Sequence, residues 1–248
     1  MILTDDGQLQ KEYLIKSYEC DRNNSLRLIT LMNIFQDMGG THAYKMGVGI
    51  DFCIQNKLAW VSSNYHIKIF SLPKMHEKIL VTTWPAIENK LSAVREFSVV
   101  NKAGDVLVTA SSQWVLLSWE KKRPVLMRDH LPEYKKFPQR ALETDFTKIE
   151  NVERIDFETK FVARFDDIDL NNHVNNAVYA LWSSEAVETD FRLTHRVGEL
   201  EIAFKREALL GEKIKVITET HGETSIHSVI ARTDDRELAK CKIKWEKL

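Results

Sequence analysis

Cysteine is scarce in this chain. Cys20, Cys53 and Cys241 are the only three among 248 residues, and they are far apart and odd in number. No C-x-x-C pair occurs, so neither a disulfide framework nor a zinc site is expected. A reducing, cytoplasmic setting fits such usage. Long apolar runs are absent too: none approaches the ~20 residues of a membrane span. The opening "MILTDDGQLQKEY" has no apolar stretch behind a basic one, so no secretory signal is read there. Excess charge is missing, with a formal net charge of -1, and nothing in that total calls for nucleic acid or a membrane surface. There is no G-x-S-x-G elbow, no phosphate-cradling P-loop and no complete G-x-G-x-x-G, which argues against a serine hydrolase, a kinase and a dinucleotide enzyme. The histidines show no H-x-x-x-H or H-x-H metal spacing.

What is present fits an ordinary globular protein: 44% hydrophobic and 29% charged residues, in a length that suits one large domain or two small ones. Residues 13–19 alternate loosely and suggest a strand. Leu28, Leu31, Met32, Phe35 and Met38 then recur at helical spacing, with Gly39 and Gly40 weakening the continuation and Gly47 and Gly49 marking the exit. After Gly49 the period becomes two. Residues 58–73, 78–87 and 91–119 read as four strands, with "NKAGD" as a hairpin turn. Residues 120–156 differ: they hold three of the five prolines (Pro124, Pro132, Pro138) and many charges, and read as a connector. Then the order repeats, with a strand over 157–167, a helix over 175–191 and strands over 199–207, 212–222, 224–235 and 236–248.

The repetition extends to residues. "HIKIFSLPKMHEKILV" (66–81) lies over "EIAFKREALLGEKIKV" (201–216), an offset of 212 − 77 = 135, and "DRNN" at 21 lies over "DLNN" at 169, an offset of 148. Matches in the same order, on the same expected elements, indicate an internal duplication. Several antiparallel strands must bury one face, and the one long apolar helix per copy is the natural cover. The expected fold class is α+β: a tandem double hotdog, each copy an antiparallel sheet wrapped around a long central helix. The expected division is an N-terminal hotdog over 1–119, a linker over 120–156 and a C-terminal hotdog over 157–248.

The copies diverge where chemistry would sit. "DIDLNNHVNNAVYALW" (167–182) brings carboxylates, asparagines and an imidazole to a helix start. Copy one has Ser25 opposite His173 and Leu72 opposite Glu207, so a histidine–carboxylate pair can form only in copy two. This points to one active centre, with copy one kept for packing and for lining a pocket. The candidate catalytic residues are Asp169, Asn171, His173 and Glu207. Taken singly, each is more often a cap, turn or exposed residue than a catalyst; their grouping carries the reading. Histidine suits proton handling near neutral pH, Asn171 offers both donor and acceptor, and Asp169 can hold either. Asn175 and Asn176 read as caps of a helix whose open amides could meet a developing negative charge. One difficulty concerns Glu207: Ile202 and Phe204 share the presumed core face, and Glu207 has the other parity unless the strand ends first. Trp60, Trp84 and Trp114 are expected in the core.

The same residues resemble a known family. "DIDLNNHVNNAVYALW" is similar to the D-x-N-x-H-V-N-N signature, followed by Tyr and Trp, of the acyl-acyl carrier protein (acyl-ACP) thioesterases of plants and bacteria. "LAWVSSNYHIKIFSLPKMHEKILVTTWP" resembles their first-copy strand region, and "FKREALLGEKI" their second-copy strand with its Arg-Glu pair. The likeness runs from about residue 10 to the end. It implies hydrolysis of the thioester between a fatty acyl chain and the phosphopantetheine arm of the carrier, with site residues at Asp169, Asn171, His173 and Glu207 and no metal or redox cofactor. Many plant members carry Cys directly after the glutamate; here it is Ala208, which leaves water as the attacking species. The implied partner is the acyl carrier protein, with Lys121, Lys122, Arg123, Lys135 and Lys136 as a candidate docking patch. A homodimer is left open. The rival readings are an acyl-CoA thioesterase on the same fold, a non-catalytic acyl-binding module and, more distantly, a hotdog dehydratase.

Overall fold

A computed structural model describes residues 1–248. The chain forms two compact units, Met1–Phe146 and Thr147–Leu248. In the first unit the strands are β1 (Ile2–Leu3), β2 (Leu9–Leu14), β3 (Leu58–Ile69), β4 (Lys78–Glu88), β5 (Ser92–Asn101), β6 (Val106–Ser118) and β7 (Arg123–Pro124), with helices α1 (Leu28–Lys45) and α2 (Ile50–Gln55) between β2 and β3. In the second they are β8 (Phe157–Val162), β9 (His195–Phe204), β10 (Lys213–His221), β11 (Thr224–Ala231) and β12 (Glu237–Lys247), with α3 (Asn176–Glu185) and α4 (Thr189–Thr194) between β8 and β9. No helix is long and apolar enough to cross a membrane.

The strands of the two units follow one topology. Hydrogen-bonded neighbours run β2-β4-β5-β6-β3 in the first unit and β8-β10-β11-β12-β9 in the second, and every pairing is antiparallel. Each strand of one order has its counterpart at the same place in the other, as a duplicated hotdog requires. The apolar faces explain the helices. Leu31, Met32, Phe35 and Met38 of α1 are fully buried, and α1 packs on β4. In the second unit Ala177, Val178, Ala180 and Trp182 of α3 are buried, and α3 packs on β9, β11 and β12. Burying one such large apolar side chain contributes about 1.5–3 kcal/mol.

Several boundaries depart from the sequence expectation. The strand expected over 13–19 ends at Leu14, and Ser17–Glu19 forms a 3-10 turn closed by the Glu19 carboxylate on the Lys16 N–H, 2.7 Å away. Helix α1, by contrast, ends at Lys45, just before the exit marked by Gly47 and Gly49, having run through Gly39 and Gly40. A Cβ on Gly39 would sit 3.3 Å from Arg95 Cδ, so the missing side chain serves a close approach. The single helix expected over 175–191 is two, broken at Ala186–Glu188. Of the three tryptophans expected in the core, Trp84 is buried, while Trp60 and Trp114 are half-buried and give their indole N–H to Val48 O and Ser112 Oγ.

The stretch rich in proline has little regular structure beyond β7 and a 3-10 turn at Met127–Asp129. Its side chains and backbone are tied down at both ends. Tyr134 donates to Glu88 at 2.6 Å, Trp84 to Gln139 O at 2.7 Å and Arg140 to the fully buried Glu96 at 2.6 Å. Further along, the N–H groups of Glu153 and Arg154 meet the Glu219 carboxylate at 2.7 and 3.1 Å.

Candidate functional site

The signature stretch folds as a tight loop leading into α3. Arg164–Asp167 makes a 3-10 turn in which the Asp167 carboxylate accepts from the Arg164 N–H (2.8 Å) and guanidinium (2.8 and 3.1 Å). Asp167 is 3% exposed; burial works to raise its pKa, but the Arg164 charge and N–H outweigh this and hold it below the usual carboxylate range. An isolated bridge joins Ile168 to Val174. Inside it the Asp169 N–H reaches His173 O at 2.9 Å and the Asn172 N–H reaches Asp169 O at 3.0 Å. Asn172 has φ 62°, a left-handed value that asparagine tolerates better than most residues. The loop is thus closed by its own backbone, which fixes where residues 169, 171 and 173 can point.

The four expected site residues lie in this loop and in the segment after β9. Asp169 Oδ1 accepts the Asn171 N–H at 2.8 Å, and Oδ2 faces Asn171 Nδ2 at 3.5 Å. His173 Nδ1 lies 2.8 Å from Glu207 Oε2. The structure therefore makes two pairs, Asp169 with Asn171 and His173 with Glu207, and joins them through the Asp169–His173 backbone bond. Asp169 touches His173 only by that bond. The parity difficulty disappears because β9 ends at Phe204: Glu207 belongs to an irregular segment, where alternation no longer applies. The His173 and Glu207 side chains remain 36% and 63% exposed, open to an incoming ligand.

At the helix tip only Asn175 acts as a cap, its Oδ1 taking the Ala177 N–H at 2.8 Å; Asn176 is the first helical residue. The Asn175 carbonyl takes the Val178 N–H at 2.9 Å. Two of the amides expected to stand open, those of Ala177 and Val178, are thereby satisfied.

Sequence reasoning missed Tyr179. Its hydroxyl accepts the Ala208 N–H at 2.8 Å, and the Ala208 carbonyl accepts the Val174 N–H at 2.9 Å. These two bonds clamp the residue after Glu207 between helix α3 and the His173 loop. Burial pushes the Tyr179 phenol up to about 12, the Ala208 N–H opposing and the Glu207 charge adding to the rise. The available signal was a tyrosine on the buried side of a helix, whose hydroxyl needs a partner. Ala208 itself is fully buried, so its side chain points away from solvent. Of the basic residues expected to form a docking patch, Lys136 pairs with Glu88 at 3.4 Å and Lys135 donates to Asp5 O.

The chain has known relatives along most of its length. Residues 7–134 match the acyl-ACP thioesterase N-terminal domain and residues 150–247 the acyl-ACP thioesterase C-terminal domain. An oleoyl-acyl carrier protein thioesterase, chloroplastic, of Coriandrum sativum is 25% identical over 249 residues, covering 92% of this chain and 68% of the relative. The oleoyl-acyl carrier protein thioesterase 1, chloroplastic, of Arabidopsis thaliana is 26% identical over 240 residues, covering 89% of this chain and 66% of its own length. The chain thus spans about two thirds of the length of these curated relatives. Among solved structures, the 12:0-ACP thioesterase from Umbellularia californica superposes with a TM-score of 0.84 at 20% identity, covering 98% of both chains. An acyl-ACP thioesterase from Bacteroides thetaiotaomicron does so with a TM-score of 0.80 at 22% identity, covering 98% of this chain and 99% of that one. At such identities the two structures speak for the fold.

Proposed function

The chain belongs to the acyl-ACP thioesterase family, and on that premise we propose that its C-terminal hotdog carries the reaction while its N-terminal hotdog lines the acyl pocket. The reaction is hydrolysis of the thioester joining a fatty acyl chain to the phosphopantetheine arm of the acyl carrier protein, as the names of the relatives describe for those proteins. It releases free fatty acid and holo-carrier and so ends chain synthesis on the carrier. The three free cysteines suit a reducing compartment, and we assign the protein to the cytoplasm.

The observation that carries the mechanism is the 2.8 Å contact between His173 Nδ1 and Glu207. A carboxylate there fixes the tautomer of the ring and supports a positive charge on it. The pair takes the proton of a water that attacks the thioester carbon. The tetrahedral oxyanion is met by Asn171 Nδ2, which has a second hydrogen beyond the one aimed at Asp169. Such a donor is worth ~3–4 kcal/mol. When the C–S bond breaks, the thiolate leaves and recovers a proton from the pair. Asp169 is a positioning residue, holding the Asn171 backbone and amide. The acyl tail gains ~0.8 kcal/mol for each buried CH₂.

The test is thiol release from acyl-ACP by the wild type, Glu207→Ala and His173→Ala. Both variants should lose at least ~10²-fold in kcat while keeping the wild-type circular dichroism. Near wild-type turnover in both would sink the assignment. Equal kcat/KM on acyl-CoA and acyl-ACP of one chain length would remove the carrier from the substrate.

A further inference from the structure

The surface around His173 and Glu207 carries apolar side chains where a monomer's surface is expected to be polar. Phe165 is 80% exposed, Leu170 96%, Leu209 51% and Leu210 57%. They are not scattered. Leu170 sits between Asp169 and Asn171, and Leu209 and Leu210 follow Glu207 by two and three residues. The two segments are bonded to one another: Val174 N–H to Ala208 O (2.9 Å), Ala163 N–H to Glu212 O (2.9 Å) and Gly211 N–H to Ala163 O (2.8 Å). The four side chains therefore rise from one stitched pair of loops that also holds the histidine–glutamate pair. Exposed apolar groups gathered on bonded loops in this way are a mark of interaction sites.

Copy one serves as an internal control. At the matching offsets, Phe165 becomes Ser17, Leu170 becomes Arg22 and Leu209 becomes Lys74, while Leu210 becomes Met75. Three of the four apolar positions are thus polar or charged in the copy that lacks the histidine and the glutamate. Copy one keeps some apolar exposure in these loops, at Tyr18 and Met75, but at three of the four collar positions the apolar side chain is found only beside the histidine and the glutamate. Beside the collar stands Arg206, exposed and in no ion pair, next in sequence to Glu207.

We propose that the collar formed by Phe165, Leu170, Leu209 and Leu210 is the surface on which the acyl carrier protein seats, with Arg206 supplying the cation for the phosphodiester of its prosthetic arm. This rests on the thioesterase reading. This occupant is favoured because the thioester has to be delivered to His173 and Glu207, and the carrier's arm must enter past the residues around them. An unpaired arginine suits a phosphodiester. The patch expected from the sequence, Lys121–Arg123 with Lys135 and Lys136, is replaced as the docking centre by a largely apolar one.

The test uses full-length protein and fluorophore-labelled holo-acyl carrier protein, with anisotropy giving Kd directly and independently of turnover. Leu170→Ser combined with Leu209→Ser, and Arg206→Ser separately, are compared with the wild type. The double variant should weaken carrier binding about tenfold or more, and should raise KM on acyl-ACP in step. The same acyl group on N-acetylcysteamine, which lacks carrier and phosphate, should be hydrolysed within about twofold of the wild-type kcat/KM. An unchanged Kd overturns the proposal, and so does an equal loss on both substrates. Sedimentation showing a wild-type dimer that the double variant splits, with Kd for the carrier unchanged, would make the collar a self-interface instead. A wild type that binds the carrier through these residues yet releases no thiol from either substrate would sink the hydrolase reading and leave the docking surface standing.

Discussion

The loop at 16–27 and the loop at 164–175 share a backbone and differ in purpose. Both begin with a 3-10 turn closed by an acid three residues on, Glu19 and Asp167. Both contain an isolated bridge, Cys20 with Leu26 and Ile168 with Val174. The Asp21 N–H reaches Ser25 O at 2.8 Å as the Asp169 N–H reaches His173 O at 2.9 Å. Asn24 and Asn172 take φ 57° and 62°. Leu26 N–H bonds Pro73 O, and Val174 N–H bonds Ala208 O, each at 2.9 Å. Against that match, Ser25 faces Lys74 at 2.7 Å where His173 would face Glu207. The loop is thus a scaffold that holds its shape with or without chemistry. On the proposed assignment, activity needs His173 and Glu207 in addition to that scaffold, so Asp and Asn alone, present in both copies, would not mark the site.

The largest expected effect tests that claim. Glu207→Leu and His173→Ser, which give copy two the residues of copy one, should each lower kcat by about 10²–10⁴-fold in single-turnover assays on acyl-ACP. Melting temperatures should barely move, because the backbone bonds of the loop remain. Restoration of thiol release by Ser25→His with Leu72→Glu in the His173→Ser background would show that the scaffold alone suffices, and that the location of the pair does not matter. We expect no restoration.

Next in size is a shared acid weakness. Each unit has one buried histidine, and both are fully covered. His42 on α1 is held at about 3 by burial and by the Arg95 charge, whose guanidinium lies 3.0 Å from Nδ1. His227 on β11 is held at about 3 by burial alone, its ring between Thr218 Oγ1 (2.8 Å) and Ser225 Oγ (2.7 Å). A folded-state value below the unfolded one means that the unfolded chain binds more protons as pH falls. Stability is therefore full above about 6.5 and is lost from there down toward 3, at up to about 1.4 kcal/mol per pH unit for each histidine. Chemical denaturation between pH 7.5 and 4.5 should show falling midpoints, and His227→Gln should flatten the fall. An unchanged slope in that variant would count against His227 as a contributor.

Tyr179 has no analogue of the same role in copy one, where the position 148 residues earlier is Leu31. Removing its hydroxyl leaves the Ala208 N–H without a partner and loosens the Glu207 segment. Tyr179→Phe should lower kcat about tenfold, with KM little changed, as expected when a group acts only on the geometry of the reacting pair. A change confined to KM, or to melting temperature, would reduce Tyr179 to a packing residue.

Much of the fold was legible because the two periods and the repeat are carried by many residues at once. Leu31, Met32, Phe35 and Met38 announce α1, and the alternating runs announce β3 to β6 and β9 to β12. Single-residue geometry was harder to read. Nothing local says that β9 stops at Phe204, since Lys205 and Arg206 continue a plausible strand; the stop is set by both of their N–H groups turning to Leu238 O. Gly47 and Gly49 marked the exit of α1 correctly, and the cost of Gly39 and Gly40 inside the helix is met by the close packing of Gly39 on Arg95. The site was legible as a set of residue types. The divergence of the copies also pointed to a pair of His173 with Glu207, which the fold brings to 2.8 Å; only the partner of Asp169 stayed open between amide and imidazole, and the fold gives it Asn171.

The smallest effect makes the sharpest comparison. Asp21 Oδ1 accepts the N–H groups of Asn23 and Ser25, both at 2.9 Å, and Asp169 Oδ1 accepts that of Asn171 at 2.8 Å. If the loop is one scaffold used twice, Asp21→Ala and Asp169→Ala should destabilise by similar amounts, about 1 kcal/mol each, the cost of a lost turn cap. Only Asp169→Ala should also lower kcat, because only there does the carboxylate hold the amide proposed to meet the oxyanion. Urea midpoints and thiol-release rates, measured on both variants, separate the two contributions. A much larger stability loss at position 169 than at 21 would mean that the catalytic loop leans on its aspartate for shape as well as for chemistry, and the two loops would no longer count as equivalent scaffolds.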